Sequence, residues 1–281
     1  MFQKTSLALI QLLVGRSKTQ NLNNARRMVL SASQQGAKIV VLPECFNSPY
    51  GNKYFPTYAE PLEGGETTVA LQKMARDAGV WLIGGSFPEK GVNDKFFNTC
   101  TIWGPSGDLL GIHKKVHLFD IDIPGKMTFI ESDTLTSGKS LTHINTPYGK
   151  IGVGICYDLR FPEMAQIAAR QHGVILMVYP GAFNMTTGPL HWDLLLRARA
   201  VDNQFYVAGC SPARDPEAEY IVWGHSTIVD PRGQILASVG EGEGIVMSEL
   251  DLGLVDEARK QIPVSSQRRF DVYTESKEIL E

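Results

Sequence analysis

Short apolar runs alternate along the chain with longer segments in which apolar residues recur at helical spacing. The runs predict strands, and runs without an internal charge predict strands that are covered on both faces. The predicted strands are 7–12, 38–42, 80–84, 98–103, 109–115, 151–155, 174–179, 205–209, 226–230, 234–238 and 245–250. The predicted helices are 21–35, 67–78, 163–171, 191–203 and 252–260. In the first of these helices, Ala25, Met28, Val29 and Ala32 form one apolar face.

The order of these elements predicts the fold class. Strands followed by helices alternate with two hairpins, one around the turn GPSGD and one around DPRG. This alternation is typical of an α/β protein with mixed sheets, and we expect two sheets facing each other under helices. No Pro/Gly/Ser-rich linker divides the 281 residues, so we expect residues 1–281 to form a single domain. The pattern leaves the strand order open.

One long stretch, residues 117–139, shows no clear periodicity. We expect a loop here, and loops of this length in a compact domain usually carry function.

Composition narrows the classes of partner and compartment. Hydrophobic residues make up 43% of the chain and charged residues 20%, and the net charge is −3 without a basic run. We therefore expect neither nucleic acid nor a membrane as a partner. The four cysteines include no CxxC pair, and no secretory signal is recognisable at the N-terminus, so a reducing compartment is expected. The cytoplasm is the predicted location, with a mitochondrial pool as an alternative.

The segment KIGVGICYDLR, residues 150–160, carries the strongest candidate for chemistry. Gly152 and Gly154 alternate with apolar residues, which predicts a strand that another backbone or a substrate can approach closely. A helix follows from Glu163, so Cys156 should lie on a sharp strand-to-helix turn, where a nucleophile would face free N–H groups. The alternative is a buried structural cysteine.

Two other charged residues also follow predicted strands. Glu44 comes directly after the buried run at 38–42, and Lys115 ends the first hairpin. Glu44 could remove the thiol proton, and Lys115 could stabilise a negatively charged oxygen. The alternatives are surface charges at both positions, or a Cys–His pair using His117 or His191.

Metal and nucleotide sites are not favoured. His113 and His117 have four-residue spacing, but no HExxH motif occurs, so no metal is expected. Gly152 and Gly154 lack the third glycine of a dinucleotide fingerprint, and no phosphate-binding GxxxxGK[ST] motif is present, so no cofactor is expected.

The segments LPECFNSPY, HKKVHLFDIDIPG and GVGICYDLRFPE, in this order, resemble the nitrilase superfamily of carbon–nitrogen hydrolases. The likeness continues through YPGAFNMTTGPLHW, RARAVDNQFYVAGCSPARD and WGHSTIVDPRG, and within the superfamily it is greatest to the omega-amidase branch. The resemblance implies an αββα four-layer sandwich, a homodimer that associates near the last helices, and no cofactor.

The resemblance also implies roles for particular residues. The catalytic Glu–Lys–Cys triad falls on Glu44, Lys115 and Cys156, and a second glutamate falls on Glu131. Substrate binding is implied for Tyr50, Arg160 and Phe183. The residue types themselves add an oxyanion contact from the backbone N–H of Tyr157 and a polar contact from Thr187. Four of these residues have a structural alternative: a surface carboxylate for Glu131, an ion pair with Asp158 or Glu163 for Arg160, and core packing for Tyr50 and Phe183.

The implied activity is hydrolysis of the ω-amide of small 2-oxo dicarboxylic acid monoamides, such as 2-oxoglutaramate and 2-oxosuccinamate, through a Cys thioester. Alternatives are an amidase for deaminated glutathione or another small amide, and a binding module without catalysis.

Overall fold

The computed structural model describes residues 4–273, and its longer helices and most of its strands follow one another as the apolar pattern predicts. The helices are α1 (Lys18–Gln34), α2 (Phe55–Tyr58), α3 (Glu66–Ala78), α4 (Pro162–Arg170), α5 (Gly188–Asn203), α6 (Gly253–Gln261) and α7 (Phe270–Tyr273). The strands are β1 (Lys4–Gln11), β2 (Ile39–Val41), β3 (Trp81–Ile83), β4 (Phe87–Lys90), β5 (Phe96–Trp103), β6 (Leu109–Lys114), β7 (Asp120–Ile123), β8 (Met127–Ile130), β9 (Thr142–Thr146), β10 (Gly149–Val153), β11 (Val174–Pro180), β12 (Tyr206–Cys210), β13 (Thr227–Val229), β14 (Ile235–Ser238) and β15 (Gly244–Asp251).

Two mixed sheets form the centre of the described chain. The first has the order β15, β1, β2, β3, β5, β4, with β6 also paired to β5. The second has the order β14, β13, β12, β11, β10, β9. Each sheet contains three adjacent parallel strands, β1 to β3 in the first and β10 to β12 in the second, flanked by antiparallel ones. The residues that follow the parallel strands therefore meet at one edge of each sheet.

Successive side chains of a strand point to opposite faces of its sheet, so each sheet packs against the other sheet on one face and against helices on the other, which gives four layers. Leu7 and Leu9 of β1 pack in one apolar cluster with Val153 of the other sheet. Ala8 and Ile10, which point to the opposite face, pack in a second cluster with α1 and α3. The outer face of the second sheet is covered by α4 and α5. The predicted αββα sandwich is thereby confirmed.

The two glycines before Cys156 make room for neighbouring side chains. A Cβ at Gly152 would lie 2.6 Å from the sulfur of Met177, and one at Gly154 would lie 2.8 Å from the ring of Tyr179. Both neighbours belong to the adjacent strand β11, so the prediction that these glycines admit another backbone or a substrate is wrong. They let β10 and β11 pack tightly beneath the turn that carries Cys156.

The stretch 117–139 is not the irregular loop that its pattern predicts. It contains the antiparallel pair β7 and β8, followed by a 3-10 helix over Glu131–Asp133. In β7 the exposed Asp120 and Asp122 alternate with the half-buried Ile121 and Ile123. Four residues are too few for this alternation to stand out, and aspartate is unfavourable in strands, so the sequence pattern missed the hairpin.

No helix within residues 4–273 combines the length and the apolar character needed to cross a membrane.

Candidate active site

Glu44, Lys115 and Cys156 come from three separate parts of the chain and meet in the interior. Lys115 Nζ lies 3.1 Å from Glu44 Oε1. The Cys156 thiol lies beside the Glu44 carboxylate, and burial together with the charge of that carboxylate raises the pKa of the thiol. The fractional exposures are 0% for Glu44, 1% for Lys115 and 4% for Cys156. The structure therefore brings together a thiol, a carboxylate and an ammonium, and the surface-charge alternatives for Glu44 and Lys115 are wrong.

Strand alternation decides which of two adjacent lysines faces this cluster. Lys114, the last residue of β6, places its ammonium 2.9 Å from Glu89 Oε1 and 3.8 Å from the ring centre of Phe97. Lys115 follows it and therefore points to the other side, into the interior. Lys114 remains partly exposed, with 32% of its side-chain surface accessible.

Cys156 lies on the predicted strand-to-helix turn. Strand β10 ends at Val153, and Cys156 opens a 3-10 helix that precedes α4. Its φ of +48° is in the left-handed region, where a non-glycine residue costs on the order of 1 kcal/mol. A hydrogen bond from the N–H of Ile155 to Asp158 Oδ2 at 2.9 Å, and one from the N–H of Asp158 to the carbonyl of Ile155 at 3.0 Å, close this turn.

Glu131 joins the same cluster. It is fully buried, and its Oε2 lies 2.8 Å from Lys115 Nζ. The Tyr50 hydroxyl donates to Oε1 at 2.9 Å, and the backbone N–H of Phe119 donates to Oε2 at 2.7 Å. A surface carboxylate is therefore excluded, because Glu131 is held on both oxygens while it contacts the ammonium of Lys115.

Burial controls the proton affinities in this cluster. It raises the pKa of Glu44 above the ordinary value of 4.5, although the charge of Lys115 acts in the opposite direction. Burial and then the charge of Glu44 raise the pKa of Cys156 well above 9.0. Burial alone would lower the pKa of Lys115, but the charges of Glu131 and Glu44 raise it well above 10.5. The resting cluster therefore holds a protonated thiol and an ammonium.

Glu44 is also fixed by two uncharged donors. The Asn98 side chain donates to Oε1 at 2.9 Å, and the backbone N–H of Ala182 donates to Oε2 at 2.7 Å. Sequence reasoning missed Asn98. A signal was available, because asparagine is depleted in strands and this one lies within strand β5.

Arg160 lies beside the cluster, half-buried. Within residues 4–273 it forms no salt bridge with Asp158 or Glu163; instead its Nη1 donates to His191 Nδ1 at 3.1 Å. Its guanidinium carbon lies 4.8 Å from the ring centre of Phe183 and 5.6 Å from that of Tyr157. The predicted alternative of a structural ion pair is wrong, so the cationic group remains free to bind an anion.

The other side chains that the sequence links to substrate binding, those of Phe183, Tyr50 and Thr187, are buried and contact neighbouring residues of the protein. Phe183 is buried and packs edge-on against Trp192, with ring centres 5.1 Å apart. Tyr50 is buried and packs against Tyr220 at 4.5 Å, so it contributes to the core as well as to the cluster. The hydroxyl of Thr187 donates to Asn184 Oδ1 at 3.1 Å. Thr187 therefore stabilises the loop before α5.

The two histidines that could have formed a Cys–His pair have other partners. His117 Nδ1 lies 2.7 Å from Asp158 Oδ1, and His191 Nδ1 accepts from Arg160. The structure therefore gives neither histidine as a partner of the thiol, and the carboxylate of Glu44 lies beside it instead. In the part of the chain that the structure describes, no group of three or more His, Cys, Asp or Glu residues is arranged to hold a metal ion.

A cavity of about 160 Å³ adjoins the cluster on the side of Glu44, Tyr50 and Tyr220 and extends to Arg16 and Glu219. Cys156 and Arg160 are not among its lining residues. The cavity therefore adjoins the cluster through Glu44 and Tyr50.

Removing the buried ammonium should destabilise the fold. Lys115→Met leaves Glu44 and Glu131 close together without a cation, and we expect the free energy of unfolding to fall by about 3–5 kcal/mol. Lys114→Met is the matched control, because it removes a partly exposed ion pair and should cost less than about 1 kcal/mol. Urea denaturation of both variants measures the difference, and equal losses would contradict the buried cluster.

Residues 6–260 match the carbon-nitrogen hydrolase family. The chain is 58% identical to omega-amidase NIT2 of Mus musculus over 95% of this chain and 96% of that one. It is 56% identical to omega-amidase NIT2 of Homo sapiens, with the same coverage of each chain.

A solved structure shows the same likeness. Nit3 of Saccharomyces cerevisiae, described as a member of branch 10 of the nitrilase superfamily, superimposes with a TM-score of 0.88 at 46% sequence identity, covering 95% of this chain and 97% of that one. The resemblance that three short motifs indicated thus extends over nearly the whole chain. On these grounds the chain belongs to the carbon-nitrogen hydrolase family, within the nitrilase superfamily.

Proposed function

We propose that this protein is an omega-amidase, a thiol amidase that hydrolyses the ω-amide of 2-oxoglutaramate and 2-oxosuccinamate to the 2-oxo acid and ammonia. The observation that carries the proposal is the buried cluster of Cys156, Glu44 and Lys115, in which the Lys115 ammonium lies 3.1 Å from the Glu44 carboxylate. The relatives from mouse and human, which are named omega-amidases, support the same activity.

Acylation follows from the resting protonation states. Glu44 accepts the thiol proton as the Cys156 sulfur attacks the amide carbon, so no free thiolate has to persist in the buried site. The developing oxyanion is stabilised by the ammonium of Lys115 and by the backbone N–H of Tyr157. Tyr157 is the second residue of its 3-10 helix, where an N–H group has no acceptor within the helix.

The same carboxylate serves the remaining steps. The proton that Glu44 took from the thiol passes to the departing nitrogen, and ammonia leaves behind a thioester on Cys156. Glu44 then removes a proton from water, which attacks the thioester carbon; as the carbon–sulfur bond breaks and the acid is released, Glu44 returns this proton to the Cys156 sulfur. A base whose pKa is raised towards neutrality by burial is well matched to both giving and taking a proton. Glu131 acts by holding Lys115 in place.

Arg160 suits the other end of the substrate. The proposed substrates carry a carboxylate beyond the oxo group, and a planar guanidinium can bind a carboxylate through two hydrogen bonds. In Arg160 this group lies against Phe183 and is oriented by His191, which leaves other N–H groups available.

We also infer a homodimer that associates through α5. Leu190, Leu194 and Val201 are 64%, 62% and 51% exposed. At offsets of four and eleven residues they lie on one face of the helix, which forms an apolar surface of the kind that oligomers bury. The family resemblance also implies a homodimer, but with its interface near the last helices, so α5 is a different placement of the interface.

The remaining inferences concern domain and location. The family match over residues 6–260 supports one carbon-nitrogen hydrolase domain over residues 1–281. The four cysteines are free and buried, which supports a reducing compartment such as the cytoplasm. We expect the reaction to need no cofactor, and the net charge of −3 gives no reason to expect nucleic acid or a membrane as a partner.

The activity requires the Cys156 thiol. Cys156→Ala should lower ammonia release from 2-oxoglutaramate by at least about 1000-fold, because the covalent intermediate cannot form. Rapid acid quenching and mass spectrometry of the unmodified enzyme should detect a thioester on Cys156. Cys100→Ala, which removes another buried thiol, is the control and should retain turnover.

Turnover by Cys156→Ala would contradict the proposed nucleophile. The unmodified enzyme should also be compared on 2-oxoglutaramate, glutamine and deaminated glutathione. A higher kcat/KM for deaminated glutathione would favour the alternative amidase, and absence of turnover on any amide would favour a binding module.

Arg160 should govern recognition of the carboxylate. Arg160→Lys keeps the positive charge but removes the planar guanidinium that can form two parallel hydrogen bonds to a carboxylate. KM for 2-oxoglutaramate should therefore rise by about tenfold, while KM for a neutral amide changes little. Steady-state kinetics on both substrates measures the difference. An equal rise for the neutral amide would assign Arg160 a role in folding only.

The α5 surface should control assembly. Leu194→Glu places a charge within the proposed interface and should convert a dimer to a monomer, as measured by light scattering after size-exclusion chromatography. Val92→Glu, which alters an isolated apolar residue that is 80% exposed, should leave the dimer intact. A dimer that survives Leu194→Glu would place the interface elsewhere.

A further inference from the structure

A further buried carboxylate, that of Asp158, lies between the nucleophile turn and the segment that carries Lys115. It is 0% exposed and takes no part in the mechanism described above. It is close in sequence to Cys156, but its hydrogen bonds reach residues far apart in the chain. Its two oxygens accept four hydrogen bonds, two on each oxygen.

On the nucleophile side, Asp158 closes the turn that contains Cys156. Its Oδ2 accepts from the N–H of Ile155, the residue before Cys156, at 2.9 Å. The side chain and the backbone of Asp158 are thus both hydrogen-bonded to Ile155, and these bonds close a turn that contains Cys156. Such a closed turn can hold a residue at the unfavourable φ of +48°.

On the lysine side, Asp158 binds the residues two before and two after Lys115. Its Oδ2 lies 3.1 Å from His113 Nε2. Its Oδ1 accepts from the backbone N–H of His117 at 2.9 Å and lies 2.7 Å from His117 Nδ1. One carboxylate therefore holds both ends of the short segment from which the ammonium of Lys115 projects.

The ring of His113 is held at both nitrogens. Its Nδ1 lies 3.2 Å from the hydroxyl of Thr142, which also lies 3.0 Å from the carbonyl of Ile112, and its Nε2 lies 3.1 Å from Asp158 Oδ2. His113 is therefore fixed between strand β9 and Asp158.

Asp158 is ionised in the folded protein. Burial alone would raise the pKa of its carboxyl group, but hydrogen bonds from His113 and His117 outweigh burial and hold the pKa well below 3.8. All four contacts therefore persist over the pH range in which an amidase would act.

We propose that Asp158 is a positioning residue that fixes the Cys156 sulfur and the Lys115 ammonium relative to each other, with His117 as the partner that transmits this constraint. The inference rests on the proposed function, because it assigns Asp158 to the geometry of that reaction. It touches neither substrate nor reacting atoms. Its effect is to keep the sulfur and the ammonium at the separation that the tetrahedral intermediate requires.

The test uses His117, which is partly exposed and can be replaced with little risk to folding. Its ring stacks on Phe161 at 3.6 Å, and both His117→Asn and His117→Leu remove that stacking. Asparagine, however, keeps an N–H donor near the position of Nδ1, whereas leucine keeps none. We expect His117→Leu to lower kcat by about tenfold with KM unchanged, and His117→Asn to stay within about threefold of the unmodified enzyme.

A second readout does not depend on the amide substrate. The rate at which iodoacetamide alkylates Cys156, resolved by peptide mass spectrometry, should fall in parallel with kcat for His117→Leu and be retained for His117→Asn. Asp158→Asn should lower both rates by about 100-fold. Asp230→Asn is the matched control, because Asp230 is also buried and accepts from the backbone N–H groups of a turn, here those of Arg232 and Gln234.

The control should lose stability without losing kcat or alkylation rate. Equal kcat and alkylation rates for His117→Leu and His117→Asn would overturn the proposal, as would an Asp158→Asn enzyme that is less stable but fully active. If Asp158→Asn does not fold, the two His117 variants decide the question. If the unmodified protein releases no ammonia from any amide while the alkylation rates follow the expected order, the proposed function fails and the positioning role stands.

Discussion

The buried ammonium of Lys115 is the interaction on which the rest of the site depends. It contacts two carboxylates, Glu44 at 3.1 Å and Glu131 at 2.8 Å, and all three side chains are withdrawn from water. Such a group is stable only when the charges are close and the remaining oxygens have donors. The fold supplies these donors from Asn98 and from the backbone N–H groups of Ala182 and Phe119. Several distant segments must therefore be placed correctly before the charges can be buried.

The same constraint explains the chemistry. Two carboxylates around one ammonium leave an excess of negative charge, which together with burial keeps the Cys156 thiol protonated and makes Glu44 a stronger base than an exposed glutamate. A permanently ionised thiolate would have to share this space with both carboxylates. Proton transfer at the moment of attack avoids that repulsion, so burial and the proposed use of Glu44 as both base and acid have one physical origin.

Much of the fold could be predicted from the sequence because its causes are local. The apolar face of α1 and the buried run of β2 depend on spacing within a few residues, and the structure has them where the pattern predicts. The short strands β4, β7, β8 and β9 were missed, since four or five residues give too little alternation to recognise. The position of Cys156 at a strand-to-helix turn was also local, and it was predicted.

By itself the sequence determined the order of helices and strands, the layered architecture and, through three motifs, the family and its candidate residues. Only the tertiary structure decided how those residues are paired: that Glu131 is buried against Lys115, that Arg160 contacts His191 rather than a carboxylate, and that His117 binds Asp158. The physical reason is that each pairing joins residues on different strands or turns. Their distances depend on strand order and on how the two sheets face each other, which the spacing of apolar residues does not encode.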